Sequence, residues 1–453
     1  MAAPPSRRRL RRTLAGLAAV TALLPIAGCG GVGFADTSDT FTTMGYGLGD
    51  ALATVRMDIA REKLAPTGIQ VNEGAFDEQQ FLSAVAAGDP PDVVRMDRTL
   101  IGGYAARGAL VPLTACMKDR GVQASDFRDV AIDEATLDGT VYGLPDSFDN
   151  RLLLIGDEVA RKAGYEPSDV DTSDWKGLRK LADDVHRASG GKLHRIGFDP
   201  KIPEFFPLWV RANGGSLLTP DGRTARLNDP KTVEALEFAV GLVEAQEGWG
   251  RFKALRDTFD MFGAENQFVR GQIGALPMED WYVSVLAETT PDLALTTAPF
   301  RDRDGDPINY VSGYSWAIPA GSPHPEKACT FITTMTAADT WFTAARAKAK
   351  EIRADGSPYI GDFTGNKEAD RRIHEEIWKP TGNEVYDRSA RQLYEIQDDS
   401  FAVPANAAGT EFERAWQSAI NRVLSGTATP QEALDEAQDR AQAALDRGNT
   451  ERE

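Results

Sequence analysis

From residue 41 onward, short apolar runs alternate with stretches whose apolar residues recur every three or four positions, and glycine or proline separates one from the next. The pattern predicts a strand over 41–46, a glycine-containing turn over 45–49 leading into a helix that ends near Gly68, and a strand over 69–73. Phe76, Phe81, Leu82 and Val85 then share helical spacing across 75–87, and Gly88-Asp89-Pro90-Pro91 breaks that helix before a strand over 92–96. Strand and helix in alternation specify an α/β sheet. In such sheets ligands sit beyond the carboxyl ends of the strands, which directs attention to Tyr46, Asp77, Asp97 and Arg98; Asp77, just ahead of a helix, is expected to cap it.

Later in the chain, NQFVRGQIGALPMEDWYVSVL (266–286) opens as a helix end with Phe268 and Val269, turns at Gly271 and continues as an apolar strand over 273–276 that is expected to stop at Pro277. Glu279, Asp280 and Trp281 follow at once. A strand that delivers an indole and two carboxylates to the start of a helix suits a polyhydroxylated ligand, with the ring covering an apolar face and the carboxylates accepting hydroxyl protons. A capped helix with a core tryptophan is the competing reading. Further on, helical spacing is expected over 337–353, with Trp341 and Phe342 in the core, and again over 378–397, 411–424 and 431–445. A loop is expected over 354–370, and disorder after Asp446.

At 453 residues the chain exceeds one ordinary domain, so two lobes are expected. Arg7, Arg8, Arg9, Arg11 and Arg12 precede an apolar run over 14–26 that is short for a membrane span, and Ile26-Ala27-Gly28-Cys29 follows. This is the form of an export signal ending in a lipoprotein cleavage site, with residues 1–28 removed, Cys29 lipidated and 29–40 a flexible tether; Ser6-Arg7-Arg8-Arg9-Leu10 leaves a twin-arginine route open. Five positive and no negative charges fall within 1–28, so the remainder carries −23 where the whole chain carries −18. Such an acidic protein is a poor partner for nucleic acid. Membrane attachment is therefore expected through the lipid alone, to the outer face of the cytoplasmic membrane, and the protein is expected to be monomeric. Cys116 and Cys329 are left either to pair or to stay as buried thiols, and neither the cysteines nor His186, His194, His324 and His374 have metal-ligand spacing; no metal or cofactor is expected.

With AAGDPPDVVRMDRTLIGGYAARGALVPL (86–113) the sequence resembles the extracellular solute-binding proteins of ABC importers, in the carbohydrate-binding group that includes maltose-binding protein. The resemblance continues, in order, through DGTVYGLPDSFDNRLLLIGDEVARKAGY (138–165), DTSDWKGLRKLADDV (171–185), FVRGQIGALPMEDW (268–281), SGYSWAIPAGSPHPEKACTFI (312–332) and TPQEALDEAQDRAQ (429–442). It departs at Leu154-Ile155-Gly156, where many members carry Tyr-Asn-Lys. The resemblance implies an α/β fold of two lobes with an interlobe ligand cleft and a hinge: 41–147 plus 314–360 in lobe 1, 148–313 plus 361–448 in lobe 2. Crossings are placed over 146–150 and 310–314 and around Gly361, and the polar run 146–151 after Pro145 has the composition of a connection.

Carried over residue by residue, ligand contact falls on Asp97 and Arg98, on Phe148 and Asp149, on Glu204 and Phe205, on Asp280 and Trp281, and on Gly313, Tyr314 and Trp316, with Tyr46 added for its place at the carboxyl end of the first strand. Core packing competes for every aromatic. Two other patterns invite chemistry. Asp302-Arg303-Asp304-Gly305-Asp306 suggests a calcium loop but lacks the distal glutamate, so a solvated turn is expected; Gly313-Tyr314-Ser315-Trp316-Ala317 is an incomplete nucleophile elbow with no suitable histidine. The expected function is capture of a mono- or oligosaccharide by hinge closure and its delivery to the permease subunits of an ABC transporter, with no catalysis. The alternatives are a non-sugar ligand such as a polyol phosphate, which Arg98 and Arg151 would hold, or a peptide; a ligand sensor; and a secreted glycan-active enzyme.

Overall fold

The computed structural model describes residues 40–450; the expected export signal, Cys29 and the expected tether up to residue 39 lie outside the described residues, while Thr40, assigned to the tether, begins the first strand. Two five-stranded sheets organise it. In the first, Gly68–Asn72 and Val93–Asp97 flank Thr40–Met44 in parallel, and Tyr314–Ala317 returns antiparallel between Val93–Asp97 and Gly143–Pro145. In the second, the order is Leu295–Ala298, Arg151–Gly156, Ile273–Glu279, Lys192–Phe198 and Arg187–Ser189. Each sheet has its own apolar core. Phe41, Met57, Trp316 and Phe331 lie in one, whereas Leu153, Phe198, Trp209 and Leu276 lie in another that extends to the C-terminal helices.

The early elements follow the apolar spacing. Asp77 accepts from the backbone N of Gln80 at 2.8 Å and so caps Glu78–Ala87, which starts three residues later than its apolar face suggests. Three expectations are corrected. The strand ending in Pro277 runs on to Glu279: the parallel neighbour Lys192–Phe198 pairs only as far as Ala275, so Pro277 lies beyond it, at a free edge where the missing N–H costs no ladder bond on that side. The helix expected over 378–397 is confined to Glu384–Glu395, capped by Asn383, because Pro380 and Gly382 intervene. The C-terminal helix Pro430–Thr450 continues past Asp446, held by an Arg447–Glu411 ion pair at 2.6 Å and by Gly448 packed against the backbone of Ala407.

The chain crosses between the sheets at 146–150 and at 311–313. Gly313, at φ +143°, is glycine by necessity: a Cβ there would meet Ser147 O at 2.3 Å and Arg98 Nη1 at 2.4 Å. Buried Arg98 is the knot. It donates from Nε to Glu134 at 2.8 Å, from Nη2 to Ser312 O at 2.6 Å and from Nη1 to Ser147 O, so one guanidinium ties both crossings to the helix Arg98–Ala106. Cys116, on Thr114–Arg120, and Cys329, on Pro325–Met335, form a disulfide.

Candidate functional site

The strand Ile273–Glu279 passes directly into the helix Asp280–Thr289, so Asp280 and Trp281 project from its first turn, where the helix dipole favours a carboxylate. Facing them are Tyr46 beyond the first strand, Arg56 from Ala51–Leu64, Arg95 from Val93–Asp97, and Trp341 and Lys348 from Ala338–Ala354. Ser147, Phe148 and Asp149 of the first crossing and Asp362 and Phe363 form the floor. These residues line a cavity of about 530 Å³, enough for a small ligand.

The cavity is polarised. Its basic side is built on Asp146, which is fully buried, pairs with both Arg56 and Arg95 and accepts from Trp316 Nε1 at 2.9 Å. Burial alone would raise this carboxyl, but the two guanidiniums hold it below the usual range. Arg56 also donates to Met335 O at 2.7 Å and lies 3.6 Å from the Trp341 ring centre, and Lys348 pairs with Asp362 at 2.6 Å. The acidic side has no such partners. Asp280 Oδ2 accepts from the backbone N of Asn150 at 2.9 Å and its Nδ2 at 2.8 Å, while among the described residues no group donates to Asp280 Oδ1 or to the Asp149 carboxylate. Burial, then mutual repulsion, raises Asp280 well above the carboxylate range, and burial raises Asp149 despite Arg151 and Arg98.

Of the residues singled out from the sequence, the cavity brings together Tyr46, Phe148, Asp149, Asp280 and Trp281. Asp97 instead caps its helix through Thr99 N at 2.9 Å, and Arg98 has its donors turned inward. Glu204 pairs with Arg256 at 2.8 Å, and Phe205 is buried beneath Arg151 at 4.6 Å. Gly313 lies at the crossing, Tyr314, 38% exposed but outside the cavity lining, has the Arg95 guanidinium 3.9 Å from its ring centre, and Trp316 is a core ring against Tyr46 and Phe331. The anion site considered for Arg98 and Arg151 is likewise not part of the cavity: both side chains are buried, and the Arg151 Nη groups donate to Tyr310 O at 2.6 Å, Ser312 Oγ at 2.9 Å and Glu279 at 3.3 Å, while its Nε is buried without a partner. The 302–306 segment closes on itself, Asp302 accepting from the backbone of Asp304 and Asp306; among the described residues no cluster of His, Cys, Asp and Glu is placed to hold a metal ion. Ser315 is buried within a strand.

Sequence reading missed Arg56, Arg95, Lys348 and Asp362 as cavity residues, and it missed Phe262. Phe262 is 69% exposed and stacks on Trp281 with ring centres 5.8 Å apart and planes 17° from parallel. The apolar trio Phe259, Met261 and Phe262 in a segment that is neither helix nor strand is the signal that marks it. A larger cavity of about 680 Å³, between 130–139 and 401–405, lacks tryptophan, and its Glu134 is engaged by Arg98.

The acidic pair makes stability depend on pH. Because the folded state holds its protons more tightly than the unfolded chain does, the pair costs nothing below the usual carboxylate range, and its penalty grows as pH rises from about 4 through neutrality. Asp280→Asn keeps an oxygen for Asn150 and removes one charge. It is expected to be more stable than the parent by on the order of 2 kcal/mol at pH 8 and nearly equal at pH 5, read by thermal unfolding across that range. Parallel curves for the two proteins would remove the pair as the source.

The sequence matches the model of the family described as bacterial extracellular solute-binding protein over residues 62–350. It is 22% identical over 295 residues to the maltodextrin-binding protein MdxE of Bacillus subtilis (strain 168), covering 64% of this chain and 65% of that protein. With the arabinooligosaccharide-binding protein of the same organism the identity is 21% over 263 residues, 57% of this chain and 59% of the relative. The chain thus spans less than two thirds of the length of either. Among solved structures, CpMnBP1 with mannotriose bound superposes with a TM-score of 0.71 at 23% identity over 89% of this chain and 99% of that one. An ABC substrate-binding protein from Listeria monocytogenes in complex with cycloalternan gives 0.70 at 21% identity over 90% and 99%. These superpositions establish the fold as two α/β lobes.

Proposed function

This chain belongs to the bacterial extracellular solute-binding protein family, and from that premise we propose that it binds a mono- or oligosaccharide by closing two lobes over the cavity and delivers it to the permease of an ABC transporter. The observation that carries the reading is the indole of Trp281, 37% exposed, standing next to carboxylate oxygens to which no group among the described residues donates. A flat apolar face beside strong acceptors is what a sugar ring with its hydroxyls requires. Phe262 extends the apolar surface. The sugar-binding relatives and neighbours support the same ligand class, and the burial of Arg98 and Arg151 outside the cavity lining weighs against a polyol phosphate.

We assign 41–147 plus 314–360 to one lobe and 148–313 plus 361–448 to the other, with closure about the crossings that Arg98 ties together. The ligand drives closure only by its additional contacts in the closed form. Anchoring through lipidated Cys29 rests on the sequence around it, and the Cys116–Cys329 disulfide suits an oxidising compartment outside the cytosol. No helix among the described residues is long and apolar enough to cross a membrane. The protein acts as a monomer without cofactor or catalysis; turnover of a bound glycan would replace this reading with a hydrolase, and a receptor recovered in place of a permease would make it a sensor.

The test is a thermal-shift screen against mono- and oligosaccharides, polyols, glycerophosphodiesters and peptides, followed by calorimetry. A saccharide is expected to raise the midpoint with no product formed. Trp281→Ala is expected to weaken that saccharide by about 10–100-fold while shifting the unliganded midpoint little, since the ring is half exposed. A shift by a phosphodiester or peptide alone would overturn the carbohydrate reading, and unchanged affinity in the variant would remove Trp281 from the site.

A further inference from the structure

We propose that the preferred ligand is a carbohydrate bearing a protonated amine, seated with its ammonium between Asp149 and Asp280. The inference rests on the reading of the cavity as the saccharide site and narrows it to a charge class.

Charge matching around the cavity supports it. Arg56 and Arg95 converge on Asp146, Lys348 is neutralised by Asp362, Arg151 pairs with Glu279, and Arg98 pairs with Glu134. Asp50 is engaged as the cap of Ala51–Leu64, accepting from Ala53 N at 2.7 Å. Among the described residues Asp50, Asp149 and Asp280 are the cavity carboxylates that form no ion pair, and of these Asp149 and Asp280 stand beside Trp281, with Arg151 and Arg98 acting on Asp149 only from a distance. Asp280 is only 6% exposed, its Oδ2 is held by both donors of Asn150, and Oδ1 has no donor among the described residues. A buried carboxylate fixed on one side and unsatisfied on the other is built to receive a donor.

A neutral sugar offers hydroxyl donors there but leaves the charge uncompensated, so Asp280, which burial and the nearby Asp149 charge push up, keeps its proton. An ammonium group supplies three N–H donors and one positive charge. Its entry converts a pair holding one proton into two carboxylates around –NH3+, and the displaced proton leaves to solvent, so binding and proton release balance one for one. Trp281, the next residue in the chain, places an aromatic face beside the same point, where it covers the sugar ring and favours the cation.

The experiment is titration calorimetry of the full soluble chain with matched pairs: glucosamine disaccharide against cellobiose, and glucosamine, galactosamine and mannosamine against glucose, galactose and mannose. Each is run at pH 7 in phosphate and in Tris, whose ionisation heats differ. At least one amine is expected to bind 10-fold or more tighter than its hydroxyl partner, with a buffer-dependent heat equal to release of up to one proton. Asp149→Asn and Asp280→Asn, each checked for an unfolding midpoint no lower than the parent's, are expected to remove both the preference and the proton release. If the neutral partners bind as tightly as the amines, or if the heat is the same in both buffers, the charge class is wrong while the carbohydrate reading stands. If no saccharide of either kind binds, both fall.

Discussion

Arg98→Ala is expected to lower the free energy of unfolding by about 3–5 kcal/mol, as removal of one member of a buried charge pair does. The side chain is fully buried, and its three donor sites serve Glu134, Ser147 O and Ser312 O. Deletion leaves the Glu134 carboxylate and Ser147 O without that donor, while Ser312 O keeps Asp149 N at 3.0 Å, and it opens space where the two crossings touch. The loss should depend on pH. Burial has already pushed Glu134 up to about 7, against the opposing pull of Arg98, so without the guanidinium the carboxyl takes up a proton at higher pH still. A group whose folded pKa is raised this way penalises the folded state increasingly as pH rises from the carboxylate range, so the variant should be hurt more at pH 8 than at pH 5.5. Denaturant unfolding at both pH values measures it, and Arg98→Lys should rescue little, because one ammonium cannot reach three acceptors in a fork. A loss under about 1 kcal/mol at pH 8 would show that the crossings are held by other contacts. Ligand affinity should fall too, because Phe148 and Asp149 ride on the first crossing.

Arg98 also marks where sequence reading succeeds and where it stops. The strands near 41–46, 69–73 and 92–96 were legible because each is a compact apolar run bounded by glycine or proline, and Asp280 with Trp281 was legible because a strand end and a helix start meet there. Spacing along the chain could not say which way a side chain turns. Asp97 and Arg98 stand at the same strand end and look equally suited to a ligand, yet one caps its own helix and the other is consumed by backbone carbonyls from two distant segments. Trp316 reads as a ring for a sugar but is fixed by its N–H to Asp146 beneath the cavity. Lys348 and Asp362 enter the cavity from a helix and a loop whose local sequence carries no mark of a site. Cavity membership is a property of long-range packing, and two residues with the same local signature separate only when the whole fold is in place.

The Cys116–Cys329 disulfide carries the other large expected effect. The bridge closes a loop of 213 residues that contains every strand of the second sheet, so in the unfolded chain it removes the conformations in which two remote ends wander apart. The chain-entropy account puts the stabilisation from a loop of this length at about 5 kcal/mol. Replacing both cysteines by serine is therefore expected to lower the unfolding free energy by about 3–5 kcal/mol, because such bridges often deliver less than the entropy model gives. Reduction of the parent protein should produce a similar loss, and denaturant unfolding of the parent, the reduced parent and the double variant measures both. Neither cysteine lines the cavity, and both lie on helices packed against the first sheet, so ligand affinity below the unfolding transition should be unchanged. The contrast with Trp281→Ala is the informative part: one change takes stability and spares binding, the other spares stability and takes binding. Should the serine variant lose affinity at a temperature where it is fully folded, the bridge must also set the position of Arg56, which pairs with Asp146 and donates to Met335 O at the end of the helix that carries Cys329.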